Sequence, residues 1–446
     1  MSRNRLFQNV GSARPGRSVF NLSHTYKTTM DMGQLIPIVV EMVMPGDKFK
    51  LGVRSLIRMQ PAVSPVMHNI TAYFHYFFVP IRIIWDDFED YITGGVNGQD
   101  ATTMPTWQPT DTALGSLWDY MRMPVGVDPD GFYPNDFPKR AYNQIWNDYY
   151  RDETLQTELD ITSAEDIQLR NWQKDYFTSS LPWQQRGTAP ALPISGTTSA
   201  VFAQSRFVDY PASANLQLYG SSPNQYIQST NGSLLKELFD DNTVDLSSAT
   251  TFDVADLRLA FQIQRWMERN ARAGVRYTEF LKAHFNVSPR DDRLDRPEYI
   301  GGHKQPIIVS EVLQTGETGT TPQGNLAGHG ISSDTGYVGS YFVQEFGVIM
   351  GIMSIMPEAV YQQGVPRQFI QTSKYDWPFP EFMNLSEQPI YQGELFASGV
   401  SSENNTVFGY QGRYDEYRHR ASAVTGQLRS TLDYWTISRQ FSSAPS

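Results

Sequence analysis

The chain predicts a mainly β fold, a β-sandwich whose strands lie toward the two ends of the sequence with long, partly helical insertions between them. Three observations lead there. Residues 34–79 read as three consecutive strands. Beyond Pro80 the apolar period lengthens to that of helices and long loops take over. From about Ile307 to the end the pattern returns to short strands and turns, so the two strand-rich ends can pair in one sandwich.

Residues 1–33 hold few apolar positions and include Gly11, Pro15 and Gly16, which reads as an extended arm. The nearly continuous apolar run QLIPIVVEMV at 34–43, β-branched in its second half, predicts a strand buried on both faces. Pro45-Gly46-Asp47 is a turn signal. After it Phe49, Leu51 and Val53 alternate with Lys48, Lys50 and Arg54, the period of a half-buried strand. Residues 69–79 (NITAYFHYFFV) are apolar or aromatic on both faces and predict a sandwiched strand.

Ile81, Ile84, Trp85, Phe88 and Ile92 then fall at helical spacing, and residues 93–138 read as loops. Tyr142, Ile145, Trp146 and Tyr149 mark a second helix. Thr162-Ser163-Ala164-Glu165 has the pattern of a capping box and predicts a third, with Leu169, Trp172 and Tyr176 on one face. Residues 187–250 are dominated by Ser, Thr, Gly, Pro, Asn and Gln, a long loop-rich segment of the kind that is functional or mobile.

Asp253 to Gly274 carries the strongest helix signal, with Asp253 to cap it and Gly274 to end it. Its apolar residues Leu257, Leu259, Phe261, Ile263, Trp266 and Met267 nearly surround it, which predicts heavy burial, in part between subunits. Its arginines Arg258, Arg265, Arg269 and Arg272, with Arg276 just beyond, are read as pairing between helices or subunits rather than as a nucleic-acid face. In the last third, strands are expected at 341–356, 390–396 and 417–437.

Composition bounds the function. The 446 residues suffice for a large core, and 24 Tyr, 25 Phe and 9 Trp suit a chain with much core or interface to fill. There is no cysteine, which removes disulfides, thiol nucleophiles and Cys-based zinc sites. The N-terminus is polar and Arg-rich, without the apolar stretch of a signal peptide, and Phe346 to Pro357 is too short to span a bilayer, so a soluble protein with no membrane insertion is expected. A net charge of −11 argues against a dedicated DNA-binding module. The charge is uneven, however: Arg3, Arg5, Arg14, Arg17 and Lys27 stand without an acid in the first 30 residues, while Asp86, Asp87, Glu89 and Asp90 cluster later. A basic arm on an acidic body can face nucleic acid on one side only.

Motifs that carry chemistry are missing. No G-x-S-x-G, G-x-x-x-x-G-K-[ST] or H-E-x-x-H is present, and the seven histidines are scattered. Asp128-x-Asp130-Gly131 lacks the remaining calcium-loop ligands and reads as a turn. Asp291, Asp292 and Asp295 interleave with Arg290, Arg293 and Arg296, which favours local ion pairs over acid–base work. No catalytic residue, cofactor or metal ligand is therefore expected. A carbohydrate-active sandwich enzyme or lectin is the alternative, and it requires a carboxylate pair in a cleft.

Several blocks, in order, resemble one known family. They are Ser18 to Pro37 followed by Met44-Pro45-Gly46-Asp47; Tyr76 to Pro80 with Arg82 and Trp85; Arg140-Ala141-Tyr142 with Ile145-Trp146-Asn147; and Tyr176-Phe177-Thr178-Ser179. Leu257 to Arg276, continuing to Tyr277-Thr278-Glu279 and Arg296 to Gly302, is the most distinctive. Tyr361 to Gly364, Glu387-Gln388, Phe408 to Gln411, Glu416-Tyr417-Arg418 and Leu432 to Trp435 complete the set. The chain resembles the major capsid proteins of gokushoviruses, a branch of the Microviridae, over roughly three quarters of its length by the span of these blocks.

That resemblance implies an eight-stranded viral jelly-roll β-sandwich with long, partly helical insertions. It implies a structural protein whose many copies form a small T=1 icosahedral shell around circular single-stranded DNA, in a virion assembled in the host cytoplasm. It also implies a small basic DNA-binding peptide, a scaffolding protein, a DNA pilot protein and a host surface receptor as partners. The corresponding map is a basic arm (1–33), first jelly-roll strands (34–80), a helical and loop insertion (81–186), a surface insertion forming the three-fold protrusion (187–250), a helical block at subunit contacts (251–306), and the remaining strands and tail (307–446). Arg3, Arg5, Arg14 and Arg17 are the expected DNA-facing residues; Arg258, Arg265, Trp266, Arg269, Arg272 and Arg276 are the expected subunit-interface residues.

Overall fold

The computed structural model describes residues 16–60, 62, 64–95, 101–190, 254–274, 276–313, 326–383, 385 and 387–445, with the backbone of 216–219 and 226–229. Arg3, Arg5, Arg14, Asp253 and most of the 187–250 insertion lie outside the described residues. The chain divides into two compact units. Unit 1 comprises Met1–Thr178, Pro289–Gln363 and Ala421–Ser442; unit 2 comprises Ser179–Ser288, Gly364–Arg420 and Ser443–Ser446.

Unit 1 is built on the three strands expected near the start, β1 (Ile36–Val43), β2 (Lys48–Arg58) and β3 (Ile70–Pro80). The short hairpin of β4 (Leu216–Tyr219) and β5 (Tyr226–Ser229) falls in unit 2. Unit 1 resumes with β6 (Glu298–Leu313), β7 (Leu326–Phe342) and β8 (Gly347–Pro357). These six strands of unit 1 form one antiparallel sheet in the order β1-β8-β3-β6-β7-β2. Both long strands change partner along their length. Residues 298–307 of β6 pair with β3 and 308–313 with β7, while β7 passes from β6 to β2 around Ile331.

The sheet is curled, so that Leu51, Val53 and Ile57 of β2 pack against Ile70, Ala72, Phe74 and Tyr76 of β3. The other face of β3, with Phe77 and Val79, meets a helical layer. That layer holds α1 (Phe88–Thr93), α2 (Leu117–Tyr120) and α3 (Phe137–Ile145), the last continued by a π-helical turn at Trp146–Tyr150. Its core includes Trp107, Trp118 and Tyr142. Strand β3 is sandwiched as expected. Strand β1 is not buried on both faces, because it is an edge strand bonded to β8 alone and leaves Met42 exposed.

Other expectations give way to longer-range bonds. No helix forms over 162–176. Asp160 takes the Thr162 amide (2.9 Å) and hydroxyl (2.7 Å) and the Ser163 hydroxyl (2.8 Å) in a local turn. Glu165 accepts instead from Trp107 Nε1 (2.9 Å), Thr110 N (2.8 Å) and Thr110 Oγ1 (2.6 Å). The helix expected from Ile81 to Ile92 splits into a 3-10 turn at Ile81–Ile83 and α1, with the exposed Asp86 and Asp87 between them. Residues 417–437 hold 3-10 turns and the two-residue β12 (Ser422–Ala423), which runs parallel to β9 (Val360–Tyr361), rather than longer strands. Strand β6 begins inside the span expected to be helical to residue 306. The Asp128 turn is local, with Asp130 N bonded to Asp128 Oδ1 at 3.2 Å and Gly131 at φ +80°.

Unit 2 contains α4 (Val254–Ala273) and α5 (Tyr277–Phe285), the antiparallel pair β10 (Glu387–Tyr391) and β11 (Val407–Gly412), and the short helices α6 (Gln392–Leu395) and α7 (Ser401–Asn404). Gly274, at φ +98°, ends α4, and Asn286, at φ 54°, ends α5.

Candidate subunit-contact surfaces

Helix α4 is present where the sequence places it, and within this one chain it is only partly covered. Among its described residues Ala271 is fully buried, whereas Leu259, Phe261 and Trp266 are exposed, Trp266 by 50%. The reason lies in which face meets the chain. Met267 reaches Gly187, and Gln264 bonds Gln185, so the opposite face is left without a cover among the described residues of unit 2. On it Arg258, Arg265, Arg269 and Arg272 are spaced by seven, four and three residues, which places all four on one helical stripe. Trp266 lies beside that stripe and is steadied from α5, with ring centroids 6.4 Å from Phe280 and 6.0 Å from His284. His284 Nε2 meets Asn270 Oδ1 at 2.6 Å, tying α5 back to α4.

The arginines divide by role. Arg272 pairs with Glu387, whose side chain is 2% exposed, so this arginine is committed within unit 2. Arg276 precedes α5, and its backbone N–H donates to the Glu279 carboxylate at 3.4 Å. Arg258, Arg265 and Arg269 are exposed, and among the described residues no ion pair forms at them. A stripe of arginines flanked by Phe, Leu and Trp is the composition of an interface core, where aromatics and arginine are enriched.

Beneath Arg272 the sequence blocks singled out above come together. Gln184 Nε2 donates to Glu387 O at 3.2 Å, and Gln388 Nε2 donates to Glu416 Oε2 at 2.6 Å. Leu181 and Tyr410 exchange backbone bonds of 2.8 and 2.7 Å, and Gln411 Nε2 reaches Ser179 Oγ at 2.6 Å. Arg367 Nη1 bridges Glu394 Oε1 (2.8 Å) and Pro389 O (3.1 Å). A cavity of about 300 Å³ opens here, lined by Arg367, Asp376, Glu387, Gln388, Arg413 and Glu416 among others. Its carboxylates hold the fold: Glu387 takes Arg272, Glu416 takes Gln388, and Asp376 Oδ2 accepts from Thr372 N (3.1 Å) and Ser373 N (2.7 Å). None stands ready as a general acid or base. Sequence reasoning gave Glu387, Glu394 and Glu416 no role, because their partners lie tens of residues away.

In unit 1 the Asp/Arg run resolves into ion pairs, Arg290–Asp292 and Arg296–Asp291 at 2.8 Å each. Asp295 and Glu345 share Arg82, whose guanidinium is held in its charged form chiefly by the bond to Asp295. His75 is packed between Tyr150 and Tyr299, with Nδ1 2.7 Å from the Tyr150 hydroxyl. Burial, then Arg170 and Lys304, pushes its pKa down to about 4. In the arm Arg17 is exposed, as are Val19, Phe20 and Leu22. Past them Tyr26 OH donates to Tyr120 O at 3.2 Å, with Arg122 over its ring at 5.2 Å. Among the described residues no group of His, Asp and Glu is arranged to hold a metal ion, and no helix is long and apolar enough to cross a membrane.

Comparison with known proteins places the chain in a family. Residues 8–446 match the family model described as capsid protein (F protein). The chain is 33% identical to capsid protein VP1 of Chlamydia phage 1, over 98% of this chain and 89% of that protein. It is 34% identical to capsid protein VP1 of Bdellovibrio phage phiMH2K, over 99% and 88%. It is 30% identical to capsid protein VP1 of Spiroplasma virus 4, over 96% and 86%.

Proposed function

We propose that this chain, which belongs to the capsid F protein family of Microviridae phages, builds a small T=1 icosahedral shell around a circular single-stranded DNA genome. Its role is structural and non-enzymatic. The observation that carries the shell reading is the exposed arginine and aromatic face of α4, at whose Arg258, Arg265 and Arg269 no ion pair forms among the described residues. In a closed shell such a face meets a neighbour, and closure by many modest symmetric contacts removes exposed apolar area from water. Arg258, Arg265, Trp266 and Arg269 then make the contact, with Arg276 beside them, while Arg272, itself about half exposed, also ties α4 to Glu387.

The six-stranded sheet is read as part of an eight-stranded viral jelly roll. Support comes from β6 and β7, which change partner halfway as strands do when they turn a corner between sheets. The domain map drawn from the sequence extends this reading. The 187–250 insertion forms the three-fold protrusion and contributes to host attachment. Arg3, Arg5, Arg14 and Arg17 face the DNA from the inner wall. A shell of charge −11 per copy does not neutralise its own genome, which fits the use of a separate small basic DNA-binding peptide, beside scaffolding and pilot proteins, during assembly in the host cytoplasm.

Negative-stain electron microscopy of the chain expressed with the phage's other proteins tests the shell. Uniform, small, round, tailless particles are expected; a soluble monomer under those conditions overturns the reading. Particles lacking residues 1–17 are expected to form with reduced DNA content, read from their absorbance ratio. Normal DNA content would remove the arm's role.

A further inference from the structure

We propose that residues 365–385 of unit 2 form a second docking surface for another copy of this chain, with Trp377 and Phe379 as its anchors. The inference rests on the shell-building reading above and names a surface that reading does not use.

The segment is folded inside out. Its polar groups turn inward and fasten it: Arg367 to Glu394 and Pro389 O, Gln368 Nε2 to Glu416 O at 3.0 Å, and Asp376 to the amides of Thr372 and Ser373. Ser373 Oγ accepts from Tyr375 N at 3.2 Å. Three 3-10 turns, at Arg367–Phe369, Lys374–Asp376 and Pro380–Phe382, shape the chain, and Pro366, Pro378 and Pro380 fix their own φ angles. The apolar side chains point the other way. Phe369 is 78% exposed and Trp377 57%, and Tyr375, Phe379, Met383 and Leu385 are exposed beside them.

A loop held this firmly loses little freedom when it binds, so its aromatic side chains act as pre-organised anchors. Each large aromatic offers about 150–250 Å² when fully covered. The exposed parts of these six side chains therefore reach on the order of 500 Å² or more, a large share of the roughly 800 Å² per partner in a specific interface. An area of that size matches the largest apolar patch a monomer exposes, which is often functional.

Charge selects the occupant. Within 365–385 two cations, Arg367 and Lys374, are balanced by two acids, Asp376 and Glu381. Arg367 is already spent on Glu394. A single-stranded nucleic-acid platform combines aromatics with an excess of positive charge along the backbone track; here Arg413, 5.5 Å over the Phe382 ring, adds a single charge to a balanced segment, short of that excess. A near-neutral, Pro-braced Trp/Phe/Met surface instead suits the uncharged core of a protein interface, and in a capsid family the partner present in stoichiometric excess is the chain itself.

The test compares oxidative footprints of wild-type particles, DNA-free particles and unassembled full-length chain, together with the particle yield of the Trp377→Ala/Phe379→Ala double variant co-expressed with the phage's other proteins. Trp377 and Phe379 are expected to be about tenfold less reactive in both kinds of particle than in the free chain, and the variant to lose about tenfold or more in particle yield. Should the variant fail to fold, the wild-type footprint alone decides. Unchanged reactivity on assembly, or variant particles at wild-type yield, overturns the docking surface and leaves the shell reading intact. Protection in DNA-filled but not DNA-free particles overturns it in favour of a nucleic-acid contact. Absence of wild-type particles sinks the shell reading itself.

Discussion

In unit 1, Trp107 and Trp118 meet edge to face with centroids 4.9 Å apart, each about 1% exposed. In unit 2, Trp266 and Trp377 stand about half in solvent. Both units are rich in aromatics, so the difference is one of placement. In unit 1 the sheet and the α1–α3 layer bury a large shared aromatic and aliphatic core, while Leu56, Ile308 and Tyr337 on the strands stay exposed. In unit 2 the buried positions near Arg272 and Arg367 are occupied by ion pairs and amides, and the aromatics are turned outward. The core aromatics of unit 1 are covered by their own chain, whereas those on α4 and 365–385 are left about half exposed, with area still to bury against another molecule.

That contrast predicts a sharp asymmetry in the cost of truncation. Trp118→Ala removes a side chain that packs on Trp107 and donates Nε1 to Pro124 O at 2.8 Å. It is expected to cost about 3–5 kcal/mol and to yield little soluble chain. Trp266→Ala should leave folding nearly unchanged. Comparable thermal midpoints for the two variants, measured by circular dichroism, would erase the distinction between the units.

Acidification strains unit 1 through His75. Its folded pKa of about 4 lies below the ordinary histidine value of 6.5, because burial and then Arg170 and Lys304 disfavour the charged ring. The rings of Tyr73, Phe77, Tyr150 and Tyr299 also pack around it. With the folded pKa depressed, the neutral ring's contribution is complete above pH 6.5 and is lost as pH falls toward 4. The full loss is about 3 kcal/mol across that window. Denaturant midpoints measured from pH 7 to 4 should show this slope, and His75→Gln should flatten it. An unchanged slope in the variant would assign the acid sensitivity to another group.

How much of this was legible depended on the distance over which each signal acts. β2 and β3 were readable because alternation within one strand reports its own faces. β6 and β7, at 16 and 17 residues, were not read as one long hairpin. Gly301, Gly302, Gly328 and Gly330 interrupt their periodicity, and the structure explains them: a Cβ at Gly302 would collide with the backbone oxygen of Phe74, and one at Gly328 with that of Ser64. The failed helix at 162–176 has a similar origin, since Glu165 is claimed by residues 55 and 58 positions earlier in the chain. For α4 the helix stands where the periodicity places it, while Leu259, Phe261 and Trp266 are exposed within this chain, because an apolar face does not say whether its cover comes from the same chain.

Smaller effects probe the seam between α4 and α5. Gly274 sits at φ +98°, where a Cβ would also press into the Glu279 carboxylate that receives the Arg276 amide. Gly274→Ala is expected to cost about 1–2 kcal/mol from the forced left-handed backbone, with partial loss of helical signal from unit 2. A neutral result would mean that α4 ends flexibly and that its arginine stripe is not held in register.

The smallest expected effect on folding is also the most informative about assembly. Arg265→Glu with Arg269→Glu reverses charge on an exposed stripe where no ion pair forms among the described residues. Surface substitutions of this kind fall within about 0.5 kcal/mol of neutral, so the free chain should unfold at its wild-type midpoint. In an interface the same change leaves like charges facing a surface complementary to arginine, which costs several kcal/mol per contact and raises the concentration needed for particles. The two readouts must therefore separate: normal unfolding by the monomer, and few or no particles on a sizing column. If both stay normal, α4 points into solvent in the shell as well, and its aromatic flank requires another explanation. If both fall, the stripe supports the fold of unit 2 itself, and the line between self-covered and partner-covered aromatics would have to be redrawn with α4 on the self-covered side.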